Sequence, residues 1–138
     1  MQQGYGVYEH AHVTTADRGR LLLMLYEGAI NFLREAERRM RGGEEVKART
    51  FQGRAFRIIT ELMNTLNHEV GGEIASNLHR LYTFMLHHLS EGNLRKDPQH
   101  FDDVARLLTV LHDAFAQAVT MVARPTTSTH RKVMAGVA

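Results

Sequence analysis

Residues 71–94 read GGEIASNLHRLYTFMLHHLSEGNL. The stretch opens on a glycine pair, then carries Ile74, Leu78, Leu81, Met85 and Leu89 at helical spacing. A second run, Ala75, Tyr82 and Leu86, lies beside the first. Together they make more apolar surface than a helix against a single neighbour can bury. The pattern predicts a long central helix over 72–92, set among several others.

Working outward, Asn67 to Gly72 reads as the turn that enters this helix from a preceding one over 44–67. Glu44 and Glu45 suit the positive N-terminal end of that segment. Phe51, Ala55, Ile58, Leu62 and Leu66 make one stripe along it, and Phe56, Ile59 and Met63 a second, rotated by roughly 100°. Upstream, a helix over 17–42 starts at Asp17, a capping residue, and ends at Gly42-Gly43. Its stripe is Leu22, Leu25, Ala29, Leu33, Ala36 and Met40, widened by Met24 and Phe32. Gly28 and Ala29 are small enough to admit a close neighbour.

Downstream, Glu91-Gly92-Asn93 weakens helical continuation, and Asp97-Pro98 pairs an N-cap with a proline at the first helical position. The last helix, 98–123, carries a 3-4 repeat of Phe101, Val104, Leu108, Leu111, Phe115, Ala118 and Val122. Leu107, Val110, Ala114 and Met121 form a further line beside it. Short connections favour antiparallel neighbours. The fold expected is all-α: an antiparallel up-and-down four-helix bundle over 17–124. An N-terminal arm, 1–16, precedes it and a short tail or fifth helix, 125–138, follows.

With 138 residues the chain suits one domain. Its longest apolar run, Leu21 to Tyr26, is far shorter than the roughly 18 residues of a membrane span. The first 20 residues lack the basic-then-apolar order of a secretory signal. The absence of cysteine excludes disulfides, thiol nucleophiles and thiolate metal sites together. A cytosolic protein without membrane insertion is expected. Net charge is only +2, and basic residues such as Arg34, Arg38 and Arg39 alternate with Glu35 and Glu37. That is the pattern of a solvated, salt-bridged face, so no nucleic-acid partner is expected.

Nine histidines raise the question of metal. A di-iron bundle needs Glu-x-x-His pairs on facing helices, and the one such spacing, Glu9 to His12, falls in the arm. His87 and His88 are adjacent and point about 100° apart on a helix, which does not suit chelation. No phosphate-binding glycine loop, nucleophile elbow or zincin motif is present. Asp102 and Asp103 are adjacent and suit the helix N-terminus better than a catalytic dyad. No catalytic residue, metal or cofactor is expected. What remains is surplus apolar surface. Three covers compete: the chain's own termini, a second copy in a homodimer, or amphipathic helices of another protein.

LLLMLYEGAINFL at 21–33, IITELMNTL at 58–66 and GGEIASNLHRLYTFMLHHLSEGNLRKD at 71–97 closely resemble the flagellar export chaperone FliS family. The resemblance spans residues 8–122. It implies a non-enzymatic bundle that binds the disordered C-terminal segment of flagellin in the bacterial cytosol. It implies further that binding prevents premature polymerisation, and that the cargo is handed to a component of the flagellar type III export gate. On this resemblance Phe56, Ile59 and Met63 would serve one helix of the partner. Leu107, Val110, Ala114 and Met121 would serve another, and Tyr8 matches an arm that covers part of the surface. Asp17-Arg18 stands where family members commonly carry Ser-Pro, and Phe115 where they commonly carry Trp. The rival readings are a structural homodimer, with weak self-association its milder form, and a metal-binding bundle enzyme.

Overall fold

The computed structural model describes residues 15–122. Four helices follow one another: α1 Thr15–Arg41, α2 Glu45–Asn64, α3 His68–Arg95 and α4 Pro98–Val122. Among the described residues there is no strand. The all-α bundle expected from periodicity is the fold. The arm up to residue 14, with Tyr8, and the tail from residue 123 lie outside the described residues. Among the described residues no helix is long and apolar enough to cross a membrane.

Helix α1 packs on α2 and α4, and α3 packs on the other side of the same two helices. Every neighbour runs antiparallel. Gly28 meets Ile58 while Phe32 meets Phe51. Tyr26 meets Phe115 while Arg34 meets Asp102. The α1 seam is Leu22, Tyr26, Ala29, Leu33, Ala36 and Met40, in alternating steps of four and three. Leu25 was expected in it, but Tyr26 takes that place. Leu25 is 41% exposed and Met24 63% exposed, both outside the seam.

In α2 the buried line is Ala48, Gln52, Ala55, Ile59 and Leu62, continued by Leu66. The two stripes expected there merge into this single seam, which holds Ala55, Leu62 and Leu66 of the first and Ile59 of the second, and their remaining residues flank it. Phe51 and Ile58 lean toward α1, whereas Phe56 and Met63 lean toward α3.

The turns follow from the backbone. After α1, Glu44 N–H donates to Arg39 O at 2.8 Å and Gly43 N–H to Met40 O at 3.1 Å, with Gly43 at φ +80°. That is a Schellman motif, in which the left-handed position favours glycine. The same pair of bonds closes α3, where Asp97 N–H donates to Gly92 O and Lys96 occupies φ 55°. Helix α3 therefore runs past Gly92, where a stop was expected. Gly92 has a packing role instead: a Cβ there would lie 2.7 Å from His100 Cβ and 2.9 Å from Phe101 Cε1. At its other end α3 also starts earlier than expected. Asn67 caps it, its side chain accepting from Val70 N–H at 3.1 Å, and the helix bends at Gly72 (φ 50°, ψ −119°). Asp97 caps α4 as expected, its carboxylate accepting from Gln99 N–H at 3.0 Å.

Small residues set the spacing. Buried alanines at 29, 36, 48, 55 and 105 let α1 approach α2 and α4 closely. Helix α3 presents Tyr82, Met85 and Leu89 to the core and packs less closely on its two neighbours. The looser seams on either side of α3 are where the candidate site lies.

Candidate functional site

An apolar groove runs along each side of α3. On the α2 side it is lined by Phe56, Met63, Thr83, Leu86, His87 and Ser90. Thr83 Oγ1 donates to His79 O at 2.8 Å and lies 3.7 Å from Met63 Sδ, which joins the two walls. On the α4 side the groove has two parts. Ile74, Leu78, Leu81, Leu111 and Phe115 line the part near the start of α3. Phe84, His88, Asp103, Arg106, Leu107 and Val110 line the other, a hollow of about 450 Å³ against about 180 Å³ on the α2 side. From Ile74 to His88 the α4-side groove is roughly 21 Å long at ~1.5 Å per residue, enough for about four turns of a guest helix.

The walls are exposed where a free bundle would be expected to hide them. Phe84 is 48% exposed and Val110, across from it, 66% exposed. The polar end of the groove is ordered by a stack. Phe84 and His88 stack at 5.1 Å, and His88 stacks on His100 at 4.2 Å. His88 Nε2 lies 2.8 Å from Asp103 Oδ2. Hydrogen bonds from Gln99 and His88 hold the Asp103 carboxyl below its ordinary range, against the smaller effect of burial. Adjacent His87 and His88 thus face opposite grooves, as the helical angle predicts. His112 joins α4 to α1 through Glu27 at 2.8 Å. Burial opposes its charge, but Asp113 and Glu27 together outweigh burial and raise its pKa. Among the described residues no group of three or more such side chains is placed to hold a metal ion.

Four of the eight partner-binding residues singled out in the sequence line these grooves. Phe56 and Met63 line the α2 side, and Leu107 and Val110 line the α4 side. Ala114 and Met121 are exposed farther along α4. Ile59 is a correction: it is 0% exposed and belongs to the core, because its position in the α2 seam points inward between the two flanks. Tyr8 lies outside the described residues. Ile74, Leu81, Phe84 and Leu86 on α3 were not singled out as partner contacts. Their signal was the surplus apolar surface of residues 71–94, which was assigned to the bundle itself.

A family model described as "Flagellar protein FliS" matches residues 1–122. The chain belongs to the FliS family. Similar FliS relatives include the flagellar secretion chaperone FliS of Vibrio cholerae, 33% identical over 107 residues, covering 78% of this chain and 79% of that one. The flagellar secretion chaperone FliS of Bacillus subtilis is 30% identical over 119 residues, 86% of this chain and 88% of the relative. That of Salmonella typhimurium is 36% identical over 106 residues, 76% and 78% of the two chains. FliS relatives are named as chaperones, not enzymes, and the chain is a flagellar secretion chaperone of this family.

Proposed function

We propose that the two grooves beside α3 receive the amphipathic C-terminal segment of flagellin. Held there in the bacterial cytosol, the segment is kept from polymerising and is presented to a component of the flagellar type III export gate. The observation that carries this reading is the pair of apolar grooves, with Phe84 and Val110 exposed on facing walls, in a chain of a secretion chaperone family. An apolar helical guest would bury that surface by helix-in-groove recognition. Phe56 and Met63 would contact one part of the guest, and Leu107 and Val110 another. Ala114 and Met121 extend the second contact.

Calorimetric titration with the flagellin C-terminal segment tests the reading. Binding in a one-to-one ratio is expected. Val110→Asp should weaken it about tenfold or more while leaving the helical circular dichroism unchanged, because a carboxylate would face the apolar guest from a wall that is exposed without it. Absence of heat and of co-elution with the segment would refute the proposal. Wild-type affinity in Val110→Asp and Phe84→Asp would remove the α4-side groove from it.

A further inference from the structure

The opposite side of the bundle, where α1 meets α2, carries a different surface. Phe32 and Phe51 pair there, ring centroids 6.3 Å apart, both half-buried. The Arg54 guanidinium lies 5.3 Å from the Phe51 centroid and 5.7 Å from that of Phe32. Arg39 lies 5.8 Å from Phe51. A guanidinium resting on aromatic rings is restrained before a partner arrives and keeps its N–H edges free to donate.

The charges on this side are unevenly matched. Arg39 of α1 meets Glu35 and Glu44, and Arg38 shares Glu35. Among the described residues Arg54 and Arg57 meet none. Both are exposed and stand three residues apart, on one face of α2. Glu61, one turn beyond Arg57, makes no ion pair among the described residues and offsets only part of the charge. Two classes of anion suit such a surface. Single-stranded nucleic acid binds largely by stacking bases on aromatic faces. Here guanidiniums already occupy positions over the rings, which leaves the donors as the recognition element. Planar guanidiniums suit carboxylates, which they bind through paired N–H donors.

We propose that the α1–α2 face, built on Arg54 over the Phe32–Phe51 pair with Arg57 one turn along α2, docks an acidic segment of a second protein, independently of the grooves beside α3.

The test titrates the full chain with a short, labelled, glutamate-rich peptide, and in parallel with its glutamine counterpart and a single-stranded oligonucleotide of matched charge. Saturable binding of the acidic peptide is expected, weakening steeply with salt, with amide shifts confined to α1 and α2. Joint Arg54→Gln and Arg57→Gln should weaken it about tenfold with the helical circular dichroism unchanged. Arg54→Lys, which keeps the charge and loses the planar fork, should lose part of the affinity. No saturable binding, equal binding of the glutamine peptide, or an affinity that the double substitution leaves intact would overturn the proposal. Tighter binding of the oligonucleotide would also overturn it and assign the face to nucleic acid.

Discussion

Tyr26 and Tyr82 meet hydroxyl to hydroxyl in the centre of the bundle, bridging the diagonal between α1 and α3. Burial pushes both phenols above their ordinary value of 10.0, Tyr82 to about 12, so both stay neutral at physiological pH. The pair is a polar contact inside an apolar core, and its members depend on each other. Tyr26→Phe should cost about 1–2 kcal/mol by leaving the Tyr82 hydroxyl without its partner. Adding Tyr82→Phe should recover part of that loss, and urea denaturation of the four members of the cycle measures it. Asp102 is the second residue on which the bundle leans. It is buried, lies against Arg34, and accepts from Arg106 at 2.9 Å and Gln99 at 3.0 Å. The Arg34 hydrogen bond, ahead of the opposing effect of burial, holds its carboxyl below the ordinary 3.8. A depressed folded pKa gives stability that is present above the unfolded pKa and is lost as pH falls through the folded one. Asp102→Asn should therefore cost about 1 kcal/mol near neutral pH, a modest figure because Arg34 is half in solvent. The difference from wild type should shrink at pH values below the ordinary carboxylate range, and denaturant midpoints across that range would show it.

At the scale of the helix, Gly92 shows how one residue type carries two opposite signals. Alanine is the better helix former by about 1 kcal/mol, and α3 is helical on both sides of this glycine. Yet the added methyl would lie 2.7 Å from His100 Cβ, so overpacking costing about 1–3 kcal/mol opposes that gain. Gly92→Ala should be destabilising on balance, by about 1 kcal/mol, with the shift read as a lower thermal midpoint. The same ambiguity bounds what could be read from the chain beforehand. The number of helices, their antiparallel order and the Asp97-Pro98 start of α4 were legible because periodicity and capping are local. The ends of α3 were not. A glycine required by a neighbouring helix looks the same in sequence as one that stops a helix. For α2 the apolar pattern was legible but its centre was not, since Gln52 occupies a core position and Ala48 is too small to announce itself. The seam and its flanks then looked like two separate stripes, and Ile59 was assigned to the surface. The α4 line Leu107, Val110, Ala114 and Met121 was legible as apolar residues beside the seam, although Gln117 interrupts it.

At the scale of the whole molecule, the looser packing of α3 divides the surface. The two grooves beside it are apolar, whereas the α1–α2 side carries ion pairs and unpaired guanidiniums. A disordered guest loses several kcal/mol of gross binding energy to its own ordering, so one groove alone would hold it weakly. Engaging both grooves with one segment changes the balance. The guest must cross α3, whose diameter with side chains is about 10 Å, and roughly three extended residues span that distance. Once one half is seated, the other finds its groove at an effective concentration in the millimolar range, because the connection is short. If the proposed flagellin segment is the guest of both grooves, cutting it at the connection should separate weak half-sites from a strong whole. Each half alone should bind at least about a hundredfold more weakly than the joined segment. Val110→Asp should impair only the half seated between α3 and α4, and Phe56→Asp only the half seated between α2 and α3. Titrating the two halves separately and then together would measure this. If one half retains the full affinity, the guest uses one groove, and the second groove serves another purpose.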